Sequence, residues 1–338
     1  MPSSLIIGAG MAGLSAAREL TQRGWDVVVL DKGRGIGGRM ATRRLERARL
    51  DHGTQYFSAK TPEFQRVVQN LLTENIVAEW HLEKSEAGIL FDHPRYVGVD
   101  GMSAVAKAMA RNLTVLTNET VVSFRVAAAG WLVETASGGQ YRADSLLITI
   151  PAPQVLTLVE KSNFALADTN REALAAITYR PCIAVMVALN QPSCIPPPGF
   201  VRYQTGDVAW VSDNTQKGIS PDQSSVTIHA AADFSQTHFD HDLNEIGRQL
   251  IDQLRDYIPK EAVSAVQVHR WRYSLADQRH PDPFLAAVAP FPLLFGGDGF
   301  GAGNVEGAFT SGLRMAEFLL IHPPFPRSQP APRRNGPG

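Results

Sequence analysis

Only two cysteines, Cys182 and Cys194, stand among 338 residues. They lack the CxxC spacing of a zinc or redox motif, and two thiols make no disulfide framework. Each reads as a buried or loop thiol in a chain suited to a reducing compartment, and no metal is expected. Charge of one sign is missing too. Lysines and arginines number 32 against 33 aspartates and glutamates, a formal balance of −1. The basic residues are scattered, with Arg43-Arg44 and Arg333-Arg334 as short pairs. That balance leaves no footprint for nucleic acid or an anionic membrane. No apolar run approaches the ~18 residues of a membrane span, and no internal repeat is visible. The first strand begins at once, without room for a cleaved signal, so a cytoplasmic setting is expected.

What is present is glycine in special places. The apolar run Ser4 to Gly8 leads into Gly8-Ala9-Gly10-Met11-Ala12-Gly13. The next segment places Leu14, Ala17 and Leu20 on one helical face and stops at Gly24. Asp26 to Leu30 is a second, β-branched strand, and Asp31 follows it 18 residues after Gly13. In such a unit Gly8 permits a sharp turn and Gly10 lets backbone approach a pyrophosphate. Gly13 lets the helix pack closely on the strand. Met11 and Ala12 lie at the helix N-terminus, where free amides meet phosphates. Asp31 can hydrogen-bond an adenosine ribose and would repel a 2′-phosphate. Lys32, beside it, is a further candidate contact.

A second cluster follows directly: Gly37-Gly38-Arg39-Met40. Backbone at Gly38 is thin enough to lie against a ligand, and the Arg39 fork can pair with phosphate oxygens. Met40 completes the loop. A cofactor using both loops has a long pyrophosphate and a ribityl arm reaching inward. The reading is FAD.

These loops, with Asp51-His52-Gly53-Thr54-Gln55-Tyr56-Phe57 and the late segment Gly296 to Gly312, resemble the flavin-containing amine oxidase superfamily. Within it the chain is similar to the renalase-like FAD oxidoreductases. DxGxQYF after GGRM, Tyr96 to Met102 and His269 to Tyr273 carry that likeness. It runs from about Leu5 to Leu320 and thins from Ala152 to Ala262. The resemblance implies an α/β fold, a Rossmann-like FAD-binding domain interleaved with a mixed-sheet α+β substrate domain. Amine oxidases and p-hydroxybenzoate hydroxylase share that architecture. It places Gln55 and Tyr56 at the flavin, Val122 by the adenine and Asp298 at the ribityl or phosphate end. Val305 would open a helix aimed at the flavin pyrimidine, where the helix N-terminus favours negative charge on the reduced ring. Neither cysteine has the C-terminal context in which some relatives attach flavin, so FAD is expected to be non-covalent.

The cofactor domain is expected from 1–60, 93–151 and 286–322, and the substrate domain from 61–92 and 152–285. The tail 323–338 carries six prolines and is expected to be disordered. Helices are expected over Pro62 to Trp80, Met102 to Leu113 and Leu243 to Tyr257. Asp242 and Glu245 have capping-box spacing ahead of the last. Strand-like runs from Leu113 onward suggest an antiparallel meander that rejoins a parallel sheet at Leu146 to Ile150. Further strands are expected near Cys182 to Leu189, Asp207 to Ser212 and Ser225 to Ala232.

The substrate is harder to read. Amine oxidases of the superfamily often set a lysine over the flavin. Between Pro151 and Gly297 only Lys161, Lys217 and Lys260 occur, all in polar or proline-flanked settings. None is expected to be a buried lysine, and no aromatic cage for an amine is legible. Both departures agree with the renalase-like group, whose members resemble oxidases of 2- and 6-dihydro isomers of NAD(P). Such a dihydropyridine gives up a hydride to become aromatic and loses no proton, so the site needs positioning rather than a general base. Trp271, Tyr273 and Tyr179 are candidate walls, and His229 and His269 candidate polar fixtures. Arg272 could pair with a phosphate or lock a domain interface. The expected partners are a small-molecule donor and O2, with H2O2 as product. Two alternatives stay open: oxidation of a primary amine or polyamine, and a flavin-bound protein without turnover. Oligomeric state is not legible.

Overall fold

The computed structural model describes residues 1–82 and 93–324. Residues 325–338 of the expected tail, and 83–92 of the first substrate-domain segment, lie outside the described residues. Strand β1 (Ser3–Ile7) runs parallel to β2 (Asp26–Leu30), with α1 (Met11–Gln22) crossing between them. The face carrying Leu14, Ala17 and Leu20 is buried as the spacing demands. The chain turns at Gly24, whose φ of +80° suits glycine. A hairpin of β3 (Thr42–Leu45) and β4 (Ala48–Asp51) follows the second glycine loop.

Helix α2 (Pro62–Thr73) is shorter than expected. Its buried stripe ends at Leu71, and Asn75 takes φ +55°. The chain then forms β5 (Val77–Glu79), paired with β6 (Tyr96–Gly98). Helix α3 (Met102–Met109) likewise stops early, before Asn112 at φ +63°. Strand β7 (Thr114–Leu116) pairs in parallel with β2, so it lies outside the meander. The meander itself is β8 (Val121–Ala127), β9 (Gly130–Thr135) and β10 (Gln140–Ala143). Strand β11 (Ser145–Ile148) then returns alongside β1.

Two helices that periodicity did not single out, α4 (Ala152–Lys161) and α5 (Asp168–Ala175), lead into the second large sheet. It is built from β12 (Tyr179–Leu189), β13 (Phe200–Arg202), β14 (Val208–Asp213) and β15 (Ser225–Ala230). Helices α6 (Ala232–Thr237) and α7 (Leu243–Asp252) precede its last member, β16 (Val263–Ala276). The α7 cap is as expected: Asp242 accepts from the amides of Asn244 and Glu245 at 2.8 and 3.0 Å. Ile246 and Leu250 of α7 are buried in one cluster with Val185 and Val187 of β12. Full burial of each such side chain stabilises by about 1.5–3 kcal/mol. The strands run β13-β14-β15-β12-β16, all antiparallel.

Last come β17 (Phe284–Ala286), β18 (Leu293–Gly296) and α8 (Asn304–Ile321). Strand β18 pairs in parallel with β11, completing the order β17-β18-β11-β1-β2-β7. The first sheet therefore takes strands from both ends of the chain. Helix α8 lies hard against α1, for a Cβ at Gly312 would sit 2.0 Å from the Ala12 carbonyl oxygen. The architecture is the α/β, Rossmann-like arrangement. The second sheet, however, is wholly antiparallel where a mixed one was expected, and the mixed sheet is the first, through β17.

Candidate functional site

A cleft of about 1630 Å³ runs between the two sheets. Sites for one drug-sized ligand are typically about 300–1,000 Å³, so this one has room for a dinucleotide and a second molecule. Its floor answers why two glycine loops lie so close in sequence. The Gly37 amide donates to the Ala9 carbonyl at 2.8 Å, so the loops form one surface. Gly10 and Gly38 both face the cleft, and a Cβ on Gly10 would meet nothing within 4 Å. Asp31 holds that floor in shape, accepting from the amides of Ala9 and Gly33, each at 2.7 Å.

Helix α1 opens on Gly10 without a side-chain cap, and α8 opens on Gly303 in the same way. Two uncapped N-termini thus adjoin one cleft, each with unpaired amides suited to an anion or an electron-rich ring. The paired glycine loops, the open space over Gly10 and these termini fit an elongated flavin dinucleotide. Among the described residues no group of His, Cys, Asp and Glu could hold a metal.

Arg39 and Asp298 meet in the cleft, their nitrogens and oxygens 2.6 and 2.5 Å apart. Arg39 also donates to the carbonyls of Tyr273 and Ser274, both at 3.2 Å. Its fork is thus taken up by a carboxylate, where the spacing had suggested a phosphate. Tyr179 lies behind this pair, with Arg39 over its ring at 5.9 Å and Tyr273 packed edge-on.

At the other end the wall is built of imidazoles and one indole. His52 follows β4, His229 lies on β15, and His269 and Trp271 share a face of β16. Trp271 stacks on His52 at 5.2 Å, and its Nε1 donates to the His52 carbonyl at 2.8 Å. His269 stands edge-on to both rings. His229 Nε2 lies 3.3 Å from the same carbonyl. Burial, reinforced by His269 and the Arg43 charge, pushes His52 down to about 3. Burial pushes His229 down to about 4, and His269 is lowered by burial and Arg43. The wall is neutral near pH 7.

Lys217 overturns one expectation. It is fully buried, its ammonium 2.8 Å from Asp51, which is equally buried. Polar neighbours in sequence concealed this, because the residue sits in the turn after β14 that folds back under β4. Asp51 also accepts from Thr42 Oγ1 at 2.6 Å and the Met102 amide at 2.8 Å. Gln55 separates the pair from the cleft. Its Oε1 accepts from Ser212 at 2.9 Å and lies 3.4 Å from Lys217 Nζ.

Most residues singled out from the sequence line this cleft. Gly8, Gly10, Met11, Asp31 and Lys32 do so at one end, with Gly38, Arg39 and Met40 beside them. Gln55, Tyr56, Asp298 and Val305 line it further along, as do His229, His269, Trp271, Arg272 and Tyr273. Four do not. Ala12 and Gly13 are buried in α1, where a Cβ on Gly13 would lie 1.9 Å from the Gly8 oxygen. Val122 is 38% exposed, and its neighbour Val121 faces the cleft, since alternate residues of a strand point to opposite sides. Tyr179 is screened by Arg39. His52 and Arg43 line the cleft and were not singled out. His52 stands within a motif marked by its glycine and glutamine, and Arg43 is half of a short basic pair.

Comparison with known proteins gives a consistent picture. Residues 6–72 match the family model of an NAD(P)-binding Rossmann-like domain. Residues 71–320 match that of flavin containing amine oxidoreductase. Renalase of Mus musculus is 26% identical over 342 aligned positions, spanning 94% of this chain and 99% of that protein. The structure of wild-type putrescine oxidase bound to putrescine superposes with a TM-score of 0.72 at 17% identity. It covers 95% of this chain and 99% of its own, a likeness of fold.

Proposed function

This chain belongs to the flavin containing amine oxidoreductases, and on that premise we propose that it oxidises 2- or 6-dihydro isomers of NAD(P) with non-covalent FAD. Membership and the renalase likeness make it a flavin-dependent oxidoreductase. Bound flavin supplies a two-electron acceptor and a route to O2, with NAD(P)+ and H2O2 as products. Backbone at Gly8, Gly10 and Gly38 holds the pyrophosphate in this reading, and Asp31 the adenosine ribose. Asp298, braced by Arg39, meets the ribityl end, and the α8 terminus faces the pyrimidine. Segments 1–60, 93–151 and 286–322 make up the cofactor domain, with 152–285 as the bulk of the substrate domain. Neither free cysteine lines the cleft, which supports non-covalent attachment. Among the described residues no helix is long and apolar enough to cross a membrane. A cytoplasmic setting is part of the proposal.

The observation that carries the substrate is the wall of His52, His229, His269 and Trp271. It holds no carboxylate, and two of its imidazoles sit near 3 and 4, far from the value at which a general base works at neutral pH. A donor that surrenders only a hydride needs no base. Trp271 supplies a flat apolar surface, His269 a neutral aromatic ring with polar nitrogens, and Gln55 a fixed amide. One observation favours a second reading, oxidation of an amine: a buried lysine, Lys217, does lie beside the site. Its ammonium is committed to Asp51.

Anaerobic mixing with borohydride-treated NAD+, which contains 2-, 4- and 6-dihydro isomers, tests both. The flavin should bleach rapidly, and pure 4-dihydro NADH should act on the order of 100-fold more slowly, because the wrong ring carbon is presented. Air should then restore the colour with one H2O2 per NAD+. Fastest reduction by ordinary NADH or by an amine sinks the substrate reading. Flavin left on the acid-denatured polypeptide sinks non-covalent attachment.

A further inference from the structure

We propose that Arg43 is the substrate's anion-recognition residue, holding the diphosphate of the dinucleotide donor at the histidine end of the cleft. The donor's identity rests on the reading above; the anion site stands on its own observations. The first is charge. Nine lysines and arginines line the cleft against four carboxylates, in a chain whose formal charge is −1. A flavin dinucleotide brings two phosphate charges, which leaves cationic lining to spare.

The second is that Arg43 itself has no carboxylate partner. Arg39 is held by Asp298, and Arg272 lies over the Phe239 ring near Asp240. Arg43 has no carboxylate among the described residues, and its Nε is buried without a hydrogen-bond partner. A buried, charged donor left unmatched is costly, and in a native protein it calls for an acceptor. Solvent does not reach that nitrogen in this structure, and a ligand oxygen in the cleft would supply the acceptor.

The third is placement. Arg43 pairs with Leu50 across the β3–β4 hairpin, so its side chain shares a face with Leu50 and with His52 two residues on. Thr42 and Asp51 take the opposite face, where they bond each other. Arg43 thus lines the cleft beside His52 and His269, close enough for its charge to act on both rings. These are the groups that would face the nicotinamide. An arginine there suits phosphate oxygens, which its planar fork meets two at a time. A protonated amine would instead meet a cation.

The test uses the flavin-loaded protein and two arms. In the first, inorganic pyrophosphate is titrated calorimetrically into wild type, Arg43→Ala and Arg43→Lys. Wild type should bind saturably, Arg43→Ala at least tenfold more weakly, and Arg43→Lys in between, since it keeps charge but loses the fork. Equal binding by wild type and Arg43→Ala, no binding by wild type, or loss of flavin from Arg43→Ala would each overturn the proposal. In the second arm, flavin reduction is followed with borohydride-treated NAD+ and with borohydride-treated 1-methylnicotinamide, which has no diphosphate. Arg43→Ala should raise the half-saturating concentration at least tenfold more for the dinucleotide than for the methyl donor. An equal rise for both means that Arg43 serves the ring or the fold, and the proposal fails. If neither donor bleaches wild type, the dihydronicotinamide reading falls while the pyrophosphate arm still judges Arg43.

Discussion

Arg39 and Asp298 are 259 residues apart in the chain and 2.5 Å apart at the cleft. Removing Arg39 leaves Asp298 charged, half-buried and without its partner, and removing Asp298 leaves Arg39 only the carbonyls of Tyr273 and Ser274. Arg39→Ala should therefore cost about 1.5–3 kcal/mol, the range for a hydrogen bond to a charged group, and Asp298→Ala a comparable amount. The double variant should cost clearly less than the sum, because residues in direct contact couple. Urea unfolding of the flavin-free proteins measures all three, and strict additivity would refute the pairing. Sequence reading placed both residues at the cofactor but not with each other. A strand-end acid and a loop arginine carry no local signal of a mutual bond, since that bond depends on how β18 docks beside β11. Lys217 hid for the same reason. Its partner Asp51 lies 166 residues away, and nothing around it in sequence is apolar enough to announce burial.

At the level of elements, β15 and β16 and the end of β4 each bring a histidine to one wall. Their folded values lie below the 6.5 of an exposed imidazole, so the unfolded chain takes up protons first as pH falls. The stability tied to these neutral rings is complete above pH 6.5 and drains away toward pH 4. The urea midpoint should stay level from pH 8 to 7 and drop between pH 6.5 and 5, before most carboxylates titrate. His229→Gln should flatten that drop by about one proton; an unchanged slope would mean that His229 is not held neutral. The α1 glycines divide more sharply. Gly13→Ala would force a Cβ to 1.9 Å from the Gly8 oxygen, parting helix from strand. It should lower the melting temperature of the flavin-free protein and abolish flavin retention together. Gly10→Ala meets nothing within 4 Å of protein, so it should melt almost as wild type yet bind flavin weakly. Should both behave alike, the two glycines do not have separate roles. This division was legible from spacing alone, because the motif encodes backbone clearance. Helix ends were not: α2 and α3 stop near asparagines with positive φ, Asn75 and Asn112, where apolar periodicity predicted further turns.

For the whole molecule, a cleft with five more cations than carboxylates sits in a chain with almost no net charge. Anionic ligands should be drawn in by a field that salt screens over about 10 Å at 0.1 M. Raising salt from about 0.05 to 0.5 M should slow association of FAD with the flavin-free protein several-fold. It should hardly touch association of a donor without phosphate. A flat response for FAD, followed by stopped-flow fluorescence, would contradict the field. Net charge from composition could not show this, because it averages a polarised molecule. The return of the chain to the first sheet was legible at Leu293 to Asp298, an apolar strand ending in glycine and acid, and β18 does pair there with β11. That re-entry also sets an order of events in the cell. The first glycine loop leaves the ribosome about 280 residues ahead of β18 and α8, which flank β11 and α1. At about 5–20 residues per second, the nascent chain spends many seconds with its parallel sheet open along β11 and no second helix terminus over the cleft. A ribosome halted before Leu293 would hold a polypeptide that lacks the β18 and α8 side of the cleft, and that polypeptide should fail to retain flavin.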